Sequence, residues 1–444
     1  MSEGLSERLV GAIQGVHGAH PGHRAAHAKG ACCEGVFTAT PAAARLSRAE
    51  HLAGRPVPAT VRFSNGSGAP TMPDYARDGR GLAVKLRLPS GASTDLVGIT
   101  LPVFFVRTPE DFVAWMAASA PDPQTRQPDL ARIGAFLEQH PETAAAFAAS
   151  MGELNPRSYL TCAFNGLHTF FAVAVDGARR PFRYRWEPET GGGPMDREEA
   201  RAAGRDYLRE DLAARLAAGE AAFRLRFFLA QDGDPLDDPT TAWPEDREVV
   251  EAGRLVLTGQ AADQDGGCEA LVFDPTNVLD GIELSNDPIL HARSGAYSVS
   301  IALRKGLRPP RPAAAAGAGA TTAGAGATTA GAGAPTAPAS PAAGATPATP
   351  SAVSLPAGVL AGLAPGGLTE VEIDGRPVAL ANVDGTVHAV AGLCTHRACA
   401  LADGSLDGPI VTCPCHGSRF DVRTGEVVRG PAREPLDVFE VAAG

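Results

Sequence analysis

From about Pro309 to Ala352 the chain is almost wholly Ala, Gly, Thr and Pro, and it includes the run AGAGATTAGAGATTAGAGA, which repeats every seven residues. A segment with almost no charge and no large apolar side chain cannot bury a core. Its alanines favour helix, but its glycines and prolines oppose it. No single fold can run through such a stretch, so the chain divides into a unit over 1–308, a linker over 309–352 and a unit over 353–444. As flexible coil, ~44 residues reach an r.m.s. distance of roughly 35–40 Å. The C-terminal unit is therefore expected to be tethered rather than fixed.

The full 444 residues allow two or three domains and a sizeable core. The net charge of −11, with acids and bases interspersed, gives no nucleic-acid footprint. The opening MSEGLSERLVGAIQG has neither a basic start nor a long apolar run, so it does not read as a signal peptide. No apolar run approaches the ~20 residues of a membrane span. A soluble, cytoplasmic protein without a membrane partner is expected.

Half of the eight cysteines fall in GLCTHRACALADGSLDGPIVTCPCHGSRFD, residues 392–421. Cys394 and His396 form a C-x-H pair, Cys413 and His416 a C-x-x-H pair, and sixteen residues separate the pairs. Two Cys and two His also suit tetrahedral zinc, but zinc sites usually keep like ligands together. Here each arm supplies one thiolate and one imidazole, which suits a [2Fe-2S] cluster with both thiolates on one iron and both imidazoles on the other. The stretch resembles the Rieske boxes C-T-H-x-x-C and C-P-C-H-G-S. The resemblance implies a small all-β domain in which a Cys399–Cys415 disulfide clips the two ligand loops together. The flanking sequence agrees, since PVALANVDGTVHAV alternates around an Asp384-Gly385 turn and SRFDVRTGEVV repeats the pattern around Thr424-Gly425. Respiratory Rieske proteins carry a Tyr where this chain has Phe420, while Ser418 is kept. One hydroxyl donor to the cluster is lost, so the reduction potential is expected below respiratory values.

The N-terminal unit opens with His17, His20, His23 and His27 in VHGAHPGHRAAHAKG. A four-histidine metal cluster is one reading, although the intervening Gly and Pro break any shared helical face. Seven segments favour another. RAAHAKG, TVRFSNGSG, DGRGLAVKL, DLVGITLPVFFVRTPEDF, NGLHTFFAVAVDG, DDPTTAWP and HARSGAY occur in that order. They resemble the corresponding segments of haem catalases, and in length the catalase-related peroxidases. The resemblance implies an α+β fold, a catalase-like β-barrel with surrounding helices, and haem b as cofactor.

It also implies roles. Tyr297 would ligate the haem iron, with Arg293 one helical turn earlier holding its phenol as phenolate. His27 would be the general base for peroxide, oriented by Ser64. Arg24, Arg62 and Arg304 would meet the haem propionates, and Phe104 and Phe105 would line the distal pocket. Cys32, Cys33, Cys162 and Cys268 show no paired spacing and read as ordinary thiols.

The pattern breaks at Gly98-Ile99-Thr100-Leu101-Pro102, where catalases read G-N-N-x-P. Thr100 is taken as the residue at the distal Asn position. A rotating hydroxyl in place of a fixed amide weakens disproportionation of two hydrogen peroxides but leaves peroxide cleavage to His27. The remaining oxidising equivalents then need an electron donor. A tethered Rieske cluster supplies single electrons at a local concentration around millimolar, and an external reductase must refill it. Two other readings stay open: a hydroperoxide isomerase or dehydratase like allene oxide synthase, or a Rieske module that senses redox state without passing electrons to haem. Catalase relatives are usually oligomers, and the state of this chain is left open.

Overall fold

A computed structural model describes residues 4–305 apart from 123, 126, 153–154, 220 and 265, and then 351–354, 363–373, 376–396, 400–413, 418–430 and 432–442. Most of the expected linker, together with Cys399, Cys415 and His416, lies outside these residues.

Eight antiparallel strands close into a barrel. They are β1 (Gly30–Ala39), β2 (Val57–Asn65), β3 (Arg80–Arg87), β4 (Ser93–Ile99), β5 (Phe164–Val173), β6 (Arg179–Pro188), β7 (Ala221–Leu229) and β8 (Val249–Gln260). The ladder runs β5-β4-β3-β2-β1-β8-β7-β6, and pairing of β6 with β5 closes it. Closure removes the sheet edges. A short strand β9 (Ile282–Leu284) adds to β5. The interior is filled by large apolar side chains, with Phe63, Phe164, Phe223 and Trp186 fully buried.

Helices cover one end of the barrel: α1 (Leu5–His17), α2 (Pro109–Ser119), α3 (Leu130–Gln139), the five-residue α4 (Gly266–Ala270) and α5 (Pro288–Arg304). Thr108 caps α2 by accepting from the Asp111 amide at 3.1 Å, with Pro109 at its first position. Asp287 does the same for α5, accepting from the amides of Ile289 and Leu290 at 2.8 and 3.3 Å. The chain between α4 and β9 is anchored by buried Asp95. Its carboxylate accepts from Lys85 at 2.7 Å, from the Asp274 amide at 3.1 Å and from the Asn277 amide group at 3.1 Å.

The C-terminal unit has two small sheets. The first holds β10 (Ser351–Ser354), β11 (Leu368–Ile373), β12 (Arg376–Val383), β13 (Thr386–Ala391) and β18 (Val438–Ala442). The second holds β14 (Ser405–Asp407), β15 (Ile410–Thr412), β16 (Arg419–Asp421) and β17 (Val427–Arg429). The Asp384-Gly385 turn joins β12 to β13 with both residues at positive φ, 50° and 91°, the backbone of a two-residue hairpin. Strand β10 starts at Ser351 and pairs parallel with β18, two residues inside the expected linker. The two units touch. Val272, beside α4, packs against the C-terminal core that includes Cys394 and Cys413, and Arg429 donates to Ser90 Oγ at 3.2 Å.

Candidate active site and cluster site

A cavity of about 280 Å³ lies between the covered end of the barrel and α5, lined by His27, Arg62, Ser64, Phe104, Phe105, Arg293 and Tyr297 among others. Helix α1 closes one side with Leu9, Val10 and Ile13.

His27 lies between α1 and β1 with φ +56°, a left-handed conformation that costs a non-glycine residue roughly 1–2 kcal/mol. Its backbone is held at both ends. The amide donates to Gly66 O at 3.0 Å, and the carbonyl accepts from Arg62 Nη1 at 2.9 Å. Nδ1 is 3.0 Å from Ser64 Oγ on β2, which leaves Nε2 for a ligand in the cavity. Gly81 on β3 backs the pair, and a Cβ there would fall 2.8 Å from Ser64 Oγ and 2.9 Å from the His27 ring. Burial, then the charges of Arg62, Arg293 and Arg24, push the imidazole down to about 3. It is a neutral base at ordinary pH.

On the opposite side, Arg293 donates to the Tyr297 oxygen through Nε at 3.2 Å and Nη2 at 2.6 Å. Its Nη1 lies 3.0 Å from His168 Nε2, and His168 Nδ1 lies 2.6 Å from Asp287 Oδ2. Arginine only donates, so His168 Nε2 accepts and Nδ1 carries the proton to Asp287. Burial, offset by Asp287, lowers His168 and keeps it neutral. Burial alone would lower the Arg293 guanidinium, but Tyr297 beside it holds it above its ordinary value. His168 and Asp287 went unassigned from sequence, although His168 sits inside a matched segment. DDPTTAWP packs beside the cavity wall, with Pro239 O accepting from the Phe104 amide at 2.8 Å.

At the rim Arg24, Arg62 and Arg304 converge. Arg62 donates to Glu269 at 3.2 Å, and Arg24 is also paired with Glu269. Arg24 and Arg304 both donate to Leu271 O, at 2.8 and 3.3 Å. Burial, then Arg62 and Arg304, hold Arg24 well below its ordinary value. Three cations face one carboxylate, which leaves two charges for an anionic ligand. A dianionic porphyrin fits that surplus. The aromatic and aliphatic walls fit its ring, and Tyr297 offers an oxygen to its metal.

Two expectations need correction. Cys32 and Cys268 form a disulfide, with Cα atoms 5.8 Å apart and 236 residues between them in sequence. Only the fold brings β1 to α4, so no spacing announces it; Cys33 remains a buried thiol. Thr100 does not line the cavity. Its hydroxyl accepts from the Arg80 amide at 3.0 Å, and the neighbouring Ile99 lines the cavity instead. Among the described residues the four N-terminal histidines do not gather as a metal site. His20 Nε2 contacts His17 O at 2.9 Å, while His17 Nδ1 lies 3.3 Å from Ser67 Oγ.

In the C-terminal unit Cys394 and Cys413 are buried, 2% and 1% exposed, Cys394 in the loop from the first sheet to the second and Cys413 in the loop between β15 and β16. A Leu393–Ala400 bridge closes the first loop, and the Cys413 amide donates to Ser418 O at 2.8 Å across the second. His396 is half-buried in the first loop; His416 and the Cys399–Cys415 pair lie outside the described residues. Ser418 Oγ accepts from the Ala432 amide at 3.0 Å, which leaves its O–H to donate. Phe420 is fully buried.

Residues 17–308 match the catalase family, and residues 355–440 match the Rieske [2Fe-2S] domain. This chain belongs to the catalase family and carries a Rieske domain. Its fold resembles a solved bacterial catalase at TM-score 0.58 and 25% identity, over 64% of this chain and 57% of that one. The catalase-related peroxidase of Mycolicibacterium paratuberculosis is 40% identical over 69% of this chain and 97% of its own length. That of Synechococcus elongatus is 35% identical over 67% and 88%. Against Catalase-2 of Bacillus subtilis, 31% identical, the chain spans 44% of the relative. Family membership brings haem to the N-terminal domain and a [2Fe-2S] cluster to the C-terminal one. Among the described residues, no helix is long and apolar enough to cross a membrane.

Proposed function

We propose that this protein is a haem peroxidase that reduces hydrogen peroxide or organic hydroperoxides with electrons from its own Rieske cluster. Peroxide reduction is the chemistry of the family; the donor role, haem b as the porphyrin and an external reductase that refills the cluster are our reading. Bound haem supplies a metal at which the O–O bond can be cleaved. Tyr297 offers its oxygen to that metal, and the guanidinium of Arg293 fixes the phenol's direction. Across the cavity, His27 takes the peroxide proton at Nε2 and returns it to the departing oxygen. Ser64 keeps the ring in line, while Phe104 and Phe105 keep water from the site.

The contact of Val272 with the Rieske core carries the donor reading, because Leu271, Val272 and Phe273 also form a wall of the haem cavity. Val272 thus lies in the cavity wall and also packs against the core that holds Cys394 and Cys413. Reduction of an organic hydroperoxide gives an alcohol and water and consumes two electrons. An isomerase or dehydratase consumes none. Product analysis with and without reductant separates them: alcohol formed only with a reduced cluster supports the peroxidase, and rearranged product without reductant refutes it.

A further inference from the structure

The disulfide and the arginine rim meet in one short segment. Helix α4 has five residues, too few for stability of its own, yet its end supplies three groups to the rim. Cys268 O accepts from Arg24 Nη2 at 3.1 Å, Leu271 O from Arg24 and Arg304, and the Glu269 carboxylate bridges Arg24 and Arg62. The preceding residues are held to Cys32 on β1. Gln264 brackets it, with Oε1 accepting from the Cys32 amide at 2.8 Å and Nε2 donating to the Cys32 carbonyl at 2.7 Å. The Ala261 amide donates to that carbonyl at 3.0 Å, and Asp263 O accepts from the Cys268 amide at 3.1 Å. The Cys32–Cys268 bond adds a covalent cross-link from α4 to β1, beside the main chain that joins the segment to β8.

We propose that Cys32 and Cys268 form a peroxide-closed clasp that retains the haem by fixing α4 over the arginines that take its propionates. This rests on the reading that the cavity holds haem. With the bond closed, Glu269 and the two carbonyls aim Arg24, Arg62 and Arg304, and their one carboxylate leaves a charge of two for the propionates. As thiols, α4 is held against β1 by hydrogen bonds alone, and Arg24 and Arg304 lose their fixed directions while Arg62 keeps its bonds to the carbonyls of His27 and Ala28. Closing needs only the enzyme's substrate. Two thiols and one hydrogen peroxide give the disulfide and two waters: the S–S bond forms, the O–O bond breaks, and the thiol protons leave in the water. An enzyme that meets peroxide is thereby locked into its haem-retaining form.

The test is haem loss from the full-length holoprotein to excess apomyoglobin, followed at the Soret band, with the thiol state scored by alkylation and mass spectrometry. Wild type prepared as thiols should lose haem about tenfold faster than the disulfide form, the factor that ordering about one residue's backbone is worth. One equivalent of hydrogen peroxide should slow the loss to the disulfide rate. Cys268→Ser and Cys32→Ser should lose haem at the fast rate and stay fast after peroxide. Equal rates for thiol and disulfide wild type overturn the clasp, as does slowing of Cys268→Ser by peroxide. Those comparisons in wild type hold even where a variant folds poorly. Wild type that forms no Soret band on reconstitution with haem would instead sink the haem reading itself.

Discussion

Arg293 donates to Nε2 of His168 at 3.0 Å, and that contact fixes the tautomer of a buried histidine. The proton must sit on Nδ1, where Asp287 accepts it at 2.6 Å. The chain Asp287–His168–Arg293–Tyr297 therefore has one consistent set of donors, ending in two N–H groups on the Tyr297 oxygen.

Asp287 serves both this chain and the N-terminus of α5, so two substitutions separate its duties. Asp287→Asn keeps the cap, since Asn caps as well as Asp. It lets an amide donor face Nδ1, which moves the histidine proton against Arg293. Haem titration should show a shifted Soret band with near-normal stability. Asp287→Ala loses the cap and leaves a buried N–H without a partner, together about 2–4 kcal/mol by urea unfolding.

Gly81 leaves the space that His27 and Ser64 occupy. Gly81→Ala puts a methyl within 2.9 Å of the imidazole, so the ring must shift. Stopped-flow mixing with peroxide should show haem still bound and the first step slowed. The expected loss approaches that of His27→Ala, on the order of 10²-fold for a lost general acid–base.

The distal wall carries a second specific expectation. Ile99→Asn turns an amide into the cavity and should raise oxygen release from hydrogen peroxide, read with an oxygen electrode. Thr100→Asn should raise it less, because that side chain faces the Arg80 backbone.

Acid should destabilise the haem domain before it inactivates the base. Burial lowers His17, His27, His51 and His168 in the folded chain, His51 to about 4 and His27 to about 3. Unfolding frees them to bind protons at their ordinary pKa near 6.5. The unfolded state then holds more protons than the native one below about pH 6.5, so stability falls as pH drops through that value. Melting temperatures should decline from about pH 7 to 5, while the first peroxide step, measured on folded protein, should show no ordinary imidazole titration near pH 6.5.

Much of this was legible in the sequence because local spacing carries it. Arg293 and Tyr297 are one helical turn apart, the Asp384-Gly385 turn demands positive φ, and Arg24 and Arg62 sit inside recognisable segments. Cys32–Cys268 and the role of Glu269 were not legible, since the barrel alone brings β1 against α4. The distal position failed for a different reason. At the end of β4, adjacent residues point to opposite faces, so an assignment one residue out exchanges the cavity for the outside. Ile99 faces in and Thr100 faces the Arg80 backbone.

The most direct test of the donor reading is an anaerobic titration, with hydrogen peroxide, of protein whose cluster is reduced and whose haem is ferric, with haem absorbance and the cluster's electron paramagnetic resonance followed together. Each peroxide accepts two electrons and each cluster gives one. If the cluster is the donor, two reduced clusters are oxidised per peroxide, and the haem spectrum returns to its starting form as they are. A cluster that stays reduced while the haem alone responds would contradict it.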